Sequence, residues 1–529
     1  MNIAIFGSSG YIGLRLSHIL NNNNNIKTLK LFNRNKRKVL HLLNNKTQGF
    51  DYEINLDNKE KLINDLKNVD VVFYLIHSMY EKNNFSEVDN QLATIVAESA
   101  TKAKVKKIIY LGGLGLEETG DSKILSNHLS SRQETGDFLR EYHSNIVEFR
   151  AGIIIGGGSS SFEIIRTLGL KLPFVPLLWK NEGLVEPIFV DNVISYLLMA
   201  IENKDFDNNI LEIGCGESVS YTDIVCLYSK IKERKLFKIP LFPFEKIITD
   251  NILGRIIAFM SSLPPALVTP LLGGVKNKAI SKNYKIESIL GYCPFKPISL
   301  KKSLEIASKR EESEHVQSVW DLPSSMSSIK KMKHKENGMP FSTASKSING
   351  LMFEEESVEI SELIPLFKSD FSHEKSNIHI NTLIKNELFA EIKKIGGSHG
   401  YWSPSFLWKI RATIDKLIGG IGFRKYRRDS NSIRCGDRID FWSVEKFTDH
   451  ECYKELRLKA EMKAPGEAWL RFIILKEKGC EKETFKLQAL FDPNGISGYF
   501  YWYSLFFVHK YIFKTMLKNI IKNSIEYKI

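Results

Sequence analysis

Cysteine is scarce: six residues in 529, at Cys215, Cys226, Cys293, Cys435, Cys452 and Cys480. None pair as CxxC and no His/Cys group has zinc spacing. That excludes a zinc ribbon and a disulfide scaffold, and the thiols read as reduced cytosolic ones. A long apolar run is also missing. The most apolar stretch, 251–275, is broken by Arg255 and by Pro264-Pro265, so no spanning helix is expected there. No leader is expected before the fold, because the opening MNIAIFG already reads as a strand. Despite a net charge of +13, no aromatic-basic nucleic-acid module is found, so nucleic acid is not an expected partner. Most of the positive excess falls in 381–529. It fits either an anionic partner or a general bias toward Asn, Lys and Ile.

What is present begins with alternation. NIAIF (2–6), KTLKLF (27–32), DVVFYLI (70–76), KKIIYL (106–111) and NIVEFR (145–150) read as strands. Helical patterns at 11–20, 86–103 and 125–142 lie between them. This spacing predicts βαβ units and a Rossmann-type, doubly wound parallel sheet of the α/β class. NILEIG (209–214) is expected to extend that sheet. Pro-bearing apolar segments in 151–310 predict a small lobe over its ligand edge. The Asn run at 21–25 reads as a loop at the end of the first helix. Domain bounds are read as 1–310, a Ser/Lys/Glu-rich linker 311–350, and a second domain 351–529.

The glycine signature Gly7-Ser8-Ser9-Gly10-Tyr11-Ile12-Gly13 follows the first strand and opens the first helix. Gly7 permits the tight turn, Gly10 lets backbone amides approach a pyrophosphate, and Gly13 allows close helix–strand packing. The helix N-terminus adds partial positive charge. After the second strand, where an acid would hold a free ribose 2′-hydroxyl, stand Asn33-Arg34-Asn35-Lys36-Arg37. The missing carboxylate and the cations predict NADP(H) in preference to NAD(H), with Asn33, Arg34 and Arg37 as contacts. The alternative is a solvated basic loop.

GSSGYIG (7–13), FYLIHSM (73–79), YLGGLG (110–115), HLSSRQETG (128–136) and FRAGIIIGGGSSSFEIIR (149–166) together resemble the atypical short-chain dehydrogenase/reductases. Within these they are most similar to the YbjT-like, NAD(P)H-binding group, related to NmrA-like proteins and the nucleotide-binding subunit of respiratory complex I. GGSHGYWSPSFLWKIRATIDKLIGGIGFRKYRRD (396–429), GDRIDFWSVE (436–445) and LKAEMKAPGEAWLRF (458–472) resemble the domain of unknown function fused to those proteins. The resemblance implies an oxidoreductase whose active members use a Tyr-xxx-Lys pair and a Ser after the fifth strand. This chain departs from that. The strand ends in Gly112-Gly113-Leu114, and the next helix offers His128 and Arg132, four apart on one face.

His128 is therefore the candidate proton donor and Arg132 the candidate ribose anchor. Arg132 paired with a neighbour such as Glu134 is the plain alternative. His77 and Gly112 are further cofactor candidates at the sheet's edge, and Gly156-Gly157-Gly158 is expected to approach the nicotinamide. Asp191 is expected to cap a helix.

In the second half, IHI (378–380) reads as a strand and 383–395 as a helix. Then follow strands at 438–447, 454–462, 468–475 and 484–491, and a long helix at 498–521. That order predicts an α+β helix-grip, START-like domain. Trp402, Trp408, Trp442, Trp469 and Trp502 are expected in its core or lining a cavity, with Glu461 and Arg471 as inward polar candidates. Lys510, Lys514, Lys518 and Lys522 form one stripe on the last helix. It is either a solvated face or a basic face for a membrane or protein partner. The expected substrate is a small, apolar molecule and the expected location cytoplasmic, with the membrane surface as the other option. Alternatives to catalysis are an NAD(P)H-binding sensor or assembly protein, and a lipid-binding protein.

Overall fold

The computed structural model describes residues 1–33, 36–51, 59–76, 85–115, 127–171, 174–177, 183–240, 250–260, 263, 268–269, 278–282, 284–313, 316–318, 352–367, 377–420, 422, 427–430, 432–451, 453–476, 483–493 and 495–526. They belong to two compact units, Met1–Ser327 and Ser328–Ile529.

The first unit runs β1 (Asn2–Phe6), α1 (Tyr11–Asn22), β2 (Thr28–Asn33), β3 (Thr47–Asp51), α2 (Lys59–Asp65), β4 (Val71–Tyr74), α3 (Phe85–Lys102), β5 (Lys107–Gly113), α4 (Asn127–Tyr142) and β6 (Ile146–Ala151). There follow α5 (Ser160–Lys171), α6 (Val190–Glu202), β7 (Ile210–Ile213), α7 (Tyr221–Ile231) and α8 (Leu300–Glu312). The seven strands form one parallel sheet in the order β7-β6-β5-β4-β1-β2-β3. Both faces are covered, as the apolar strands require. Ile3 and Ile5 of β1 share a core with Leu16 and Leu20 of α1 and Val193 and Leu197 of α6. Ala4 and Phe6 point the other way, into a core with Val96 and Ala100 of α3 and Leu139 of α4. A lobe of α5, α7, α8 and the helix Asp250–Met260 has its own core around Phe162, Ile224, Tyr228, Leu253, Ile257 and Leu304.

Two expectations in this unit change. The segment expected to open a linker at 311 is still part of the unit, because α8 runs to Glu312 and Val316 and Ser318 are buried. Asp191 does not cap α6. Phe189 holds the cap position without a side-chain bond, while Asp191 takes both ends of the Arg310 guanidinium at 3.1 and 2.7 Å.

The second unit opens with β8 (Met352–Glu359), α9 (Ile360–Phe367), α10 (Asn377–Ile392) and α11 (Ser405–Leu417). Then come β9 (Arg438–Ile439), β10 (Trp442–His450), β11 (Tyr453–Ala460), β12 (Gly466–Lys476) and β13 (Glu483–Pro493), closed by α12 (Gly495–Ser504) and α13 (Phe506–Glu526). Its six strands make an antiparallel sheet in the order β8-β13-β12-β11-β10-β9. One face carries Phe447, Leu456, Phe472 and Phe491, and meets Phe389 of α10, Trp402 and Trp502 of α12. The expected strand 378–380 is instead the first turn of α10, and the strand that opens this domain is β8. The expected single C-terminal helix is two, α12 and α13, parted at Leu505. All five tryptophans named above are buried. Trp402 donates to Glu391 at 2.7 Å and Trp408 to Ser403 at 2.7 Å, so both serve the domain's own packing.

Candidate functional site

The strand order reverses between β1 and β4, and doubly wound sheets take ligands at the carboxyl ends of strands at such a point. There Gly7 has φ +82°, and its amide donates to Phe32 O at 3.0 Å. A Cβ on Gly7 would stand 2.6 Å from Leu75 O. The Gly10 amide closes the turn on Gly7 O at 3.0 Å. Helix α1 then starts at Tyr11 with no side-chain cap and no acid in its first turn. Helix geometry leaves the amides of Tyr11, Ile12 and Gly13 without intrahelical acceptors, at the positive end of the dipole. A Cβ on Gly13 would stand 2.1 Å from Gly7 O, whereas one on Gly10 would meet only Gly7 O, at 3.2 Å. Gly13 is thus closed against the strand turn and Gly10 faces open space. Ser9, just before Gly10, is half-exposed.

Ser8 is buried, donates to Phe32 O at 3.3 Å and accepts from Asn33 Nδ2 at 3.2 Å. Asn33 is only 6% exposed. Its Nδ2 is also bonded to Leu31 O, but its buried Oδ1 has no partner among the described residues. A lone acceptor at the end of β2 suits a ribose hydroxyl. Arg34 and His77 lie outside the described residues, as do the side chains of Arg37 and His128. His128 is the second residue of α4.

Arg132 lies along the end of β5. Its guanidinium donates to Leu111 O, its aliphatic stem sits 3.1 Å from where a Gly113 Cβ would be, and its buried Nε has no partner among the described residues. It does not pair with Glu134, which accepts from Asn90 at 3.1 Å and Ser130 at 2.8 Å. Gly112 has a structural reason to lack a side chain: a Cβ there would stand 3.0 Å from the carboxylate of fully buried Glu148. Glu148 in turn pairs with Arg140 and with Arg150, the latter at 2.7 Å.

Tyr11, inside the glycine signature, commits its side chain to the fold. Its hydroxyl donates to Gly157 O at 3.0 Å, and burial pushes it up to about 12, so the side chain binds the loop after β6 and leaves only the amide for a ligand. The sequence reading missed the residue beneath it. Arg15, 1% exposed, donates to Gly157 O at 3.0 Å, to Tyr11 Oη at 3.2 Å and to Ser318 Oγ at 2.8 Å. Ser318 Oγ donates onward to Tyr11 O at 2.7 Å. The available signal was a cation on the core-facing side of an apolar helix. Glu311 completes the loop's support by accepting from Gly158 N at 2.9 Å. Burial and then Glu163 push its carboxyl up to about 7, against the opposing pull of Arg166.

Among the described residues no group of His, Cys, Asp and Glu could hold a metal ion. The uncapped helix, the open side of Gly10 and the spare acceptor on Asn33 do fit a dinucleotide. Residues 7–149 match the family model for NAD(P)H-binding, and residues 371–516 match the protein of unknown function DUF2867. No curated protein matches the chain. Among solved structures, UDP-glucuronic acid 4-epimerase from Bacillus cereus in complex with NAD is 18% identical over 58% of this chain and 98% of its own, with a TM-score of 0.44. Triphenylmethane reductase from Citrobacter sp. is 16% identical over 58% of this chain and 100% of its own, TM-score 0.44. A nucleoside-diphosphate-sugar epimerase from Staphylococcus aureus is 15% identical over 58% and 100%, TM-score 0.43. The first unit thus has a Rossmann-type fold whose residues 7–149 match the NAD(P)H-binding family model, and residues 371–516 of the chain match DUF2867.

Proposed function

We propose that the first unit prefers NADP(H) and acts as an oxidoreductase on a carbonyl or activated alkene of apolar character. The observation that carries this reading is the uncapped, acid-free start of α1 above the Gly7–Gly10 turn. Asn33 would accept from a ribose hydroxyl, and Arg34 and Arg37 would meet a 2′-phosphate. Arg132, with its spare Nε at the end of β5, would hold the nicotinamide ribose. The bound cofactor supplies a hydride. His128 would deliver the matching proton to the substrate oxygen or carbon.

Replacing Arg34 and Arg37 together by alanine is expected to weaken NADPH binding roughly tenfold or more while leaving NADH binding little changed. Calorimetric titration with both cofactors measures this, and equal losses for the two would refute the 2′-phosphate assignment. Turnover is tested by following NADPH oxidation over a panel of apolar aldehydes, ketones and enones. His128→Ala is expected to abolish turnover while cofactor still binds.

A second reading is a cofactor-binding sensor without turnover. It is favoured by the missing Tyr-xxx-Lys pair and by the Arg132 guanidinium already bonded to Leu111 O. Tight NADPH binding with no oxidation across the panel, and association with a protein partner that differs between NADPH and NADP⁺, would select it.

A further inference from the structure

We infer that the second unit docks on an anionic lipid surface through the outer side of α11 and the α12–α13 junction. The sequence predicts a last helix that is apolar on its inner faces and basic on one stripe. Its first turns instead turn aromatic residues outward. Phe507 is 82% exposed, Phe500 of α12 77%, and Tyr499, Tyr503, Phe506 and Tyr511 are exposed with them. Deeper in α13 the pattern is ordinary, with Ile512, Phe513, Met516 and Ile520 buried. Helix α11 repeats the anomaly. Phe406, Ile410, Ile414 and Leu417 recur at helical spacing, and all four are exposed, Leu417 by 70%.

The two stripes lie on neighbouring helices. The Arg411 guanidinium of α11 is 5.8 Å from the Tyr501 ring of α12, and it also donates to Lys463 O at 3.2 Å. Lys463 Nζ reaches back to Ile418 O at 3.2 Å. Exposed apolar groups this many and this close mark an interaction surface.

Charge selects the occupant. Residues 495–525 contain no Asp or Glu, and α11 contains one, Asp415, which is fully buried and holds the amides of Gly422 and Lys463. Lys409, Lys463, Lys510 and Lys514 are exposed around the aromatics. A second copy of the same surface would bring lysines against lysines. A bilayer containing acidic lipids offers an apolar layer for Phe and Leu, an interface for Tyr, and phosphates for Lys. No described helix is long and apolar enough to cross a membrane, so the contact is with one leaflet.

The test is co-sedimentation of the full chain with vesicles of phosphatidylcholine alone or mixed with phosphatidylglycerol. Binding is expected to the mixed vesicles, to fall with added salt, and to drop at least roughly tenfold in Phe500→Glu/Phe507→Glu and in Ile410→Glu/Leu417→Glu. The melting curve and near-ultraviolet circular dichroism of these variants should match the parent, since every altered side chain is exposed. Failure to bind mixed vesicles overturns the inference. So does binding that ignores both pairs, or self-association in the ultracentrifuge that the same pairs abolish. NADPH titration is unaffected either way, so this result stands apart from the cofactor assignment.

Discussion

Gly13→Ala is expected to destabilise the first unit by about 2–3 kcal/mol and to abolish dinucleotide binding. The new Cβ would stand 2.1 Å from Gly7 O and 3.0 Å from Ser8 Cα. Both are backbone atoms held by bonds from Gly7 N and Ser8 N to Phe32 O, so no flexible side chain can yield. Either α1 lifts from the end of β1 or the turn opens, and both move the amides that face the ligand. Gly10→Ala separates fold from site. Gly10 has φ −75°, ordinary for alanine, and its only near neighbour is Gly7 O at 3.2 Å. The Gly10 variant should therefore melt close to the parent yet bind NADPH roughly tenfold to a hundredfold more weakly, because its methyl occupies the space a pyrophosphate needs. Differential scanning calorimetry and isothermal titration measure the two effects. Unimpaired NADPH binding by Gly10→Ala would mean that the glycine turn is not the diphosphate site.

The glycine turn was legible because its demands are local: the eight consecutive residues from Phe6 to Gly13 contain the strand end, the turn and the helix start. β1, β4, β5 and β6 were legible for a related reason. A strand buried on both faces must be apolar throughout, and NIAIF and VVFY leave little choice. β3, with the sequence TQGFD, escaped notice because an edge strand has one neighbour and needs no such run. IHI (378–380) was misread because three residues cannot distinguish alternation from a helical turn, and the helix continues through Leu388 and Ile392, which packing fixes. Arg15 could be seen as odd but not understood, since its partner Ser318 lies 303 positions away. The role of Asn33 was half legible. The missing acid could be read, but the bond to Ser8 that leaves Oδ1 spare could not.

The same limit applies to Arg471, read from the sequence as a residue that could fix a ligand's polar group. In the structure its guanidinium is committed. It lies on the sheet face away from Phe472 and Phe389, donates to Glu455 at 2.6 Å and to Gln488 at 3.2 Å, and reaches Tyr453 Oη at 3.3 Å. Glu461, the other candidate, pairs with Arg438 at 3.0 Å. Glu455 is the hub of this face. It is fully buried and also takes Lys446 at 2.6 Å, Arg457 at 3.1 Å and the Tyr453 hydroxyl. Burial pushes its carboxyl up, but Lys446, Tyr453, Arg471 and Arg457 outweigh that and hold it at about 2, well below the ordinary 4.5.

Glu455→Gln keeps the shape and removes the charge, so that buried Arg471 and Arg457 lose their shared carboxylate while Arg457 keeps Glu445 at 3.6 Å. The expected loss is about 3–5 kcal/mol from the second unit, read as an earlier melting transition. Replacing Glu455 and Arg471 together by methionine should recover much of it, because the cost comes from the stranded partner rather than from the missing bond. The pH dependence follows from the sign of the shift. A carboxylate held below its ordinary range contributes stability that is fully present above about pH 4.5 and is lost as pH falls toward 2. The parent should therefore lose second-unit stability across that acid window, and Glu455→Gln should lose less. Equal acid slopes in the two proteins would place the sensitivity in other groups. Glu391 is the first to test, since burial pushes it up but His399, Lys394, Trp402 and Asn523 together hold it at about 2.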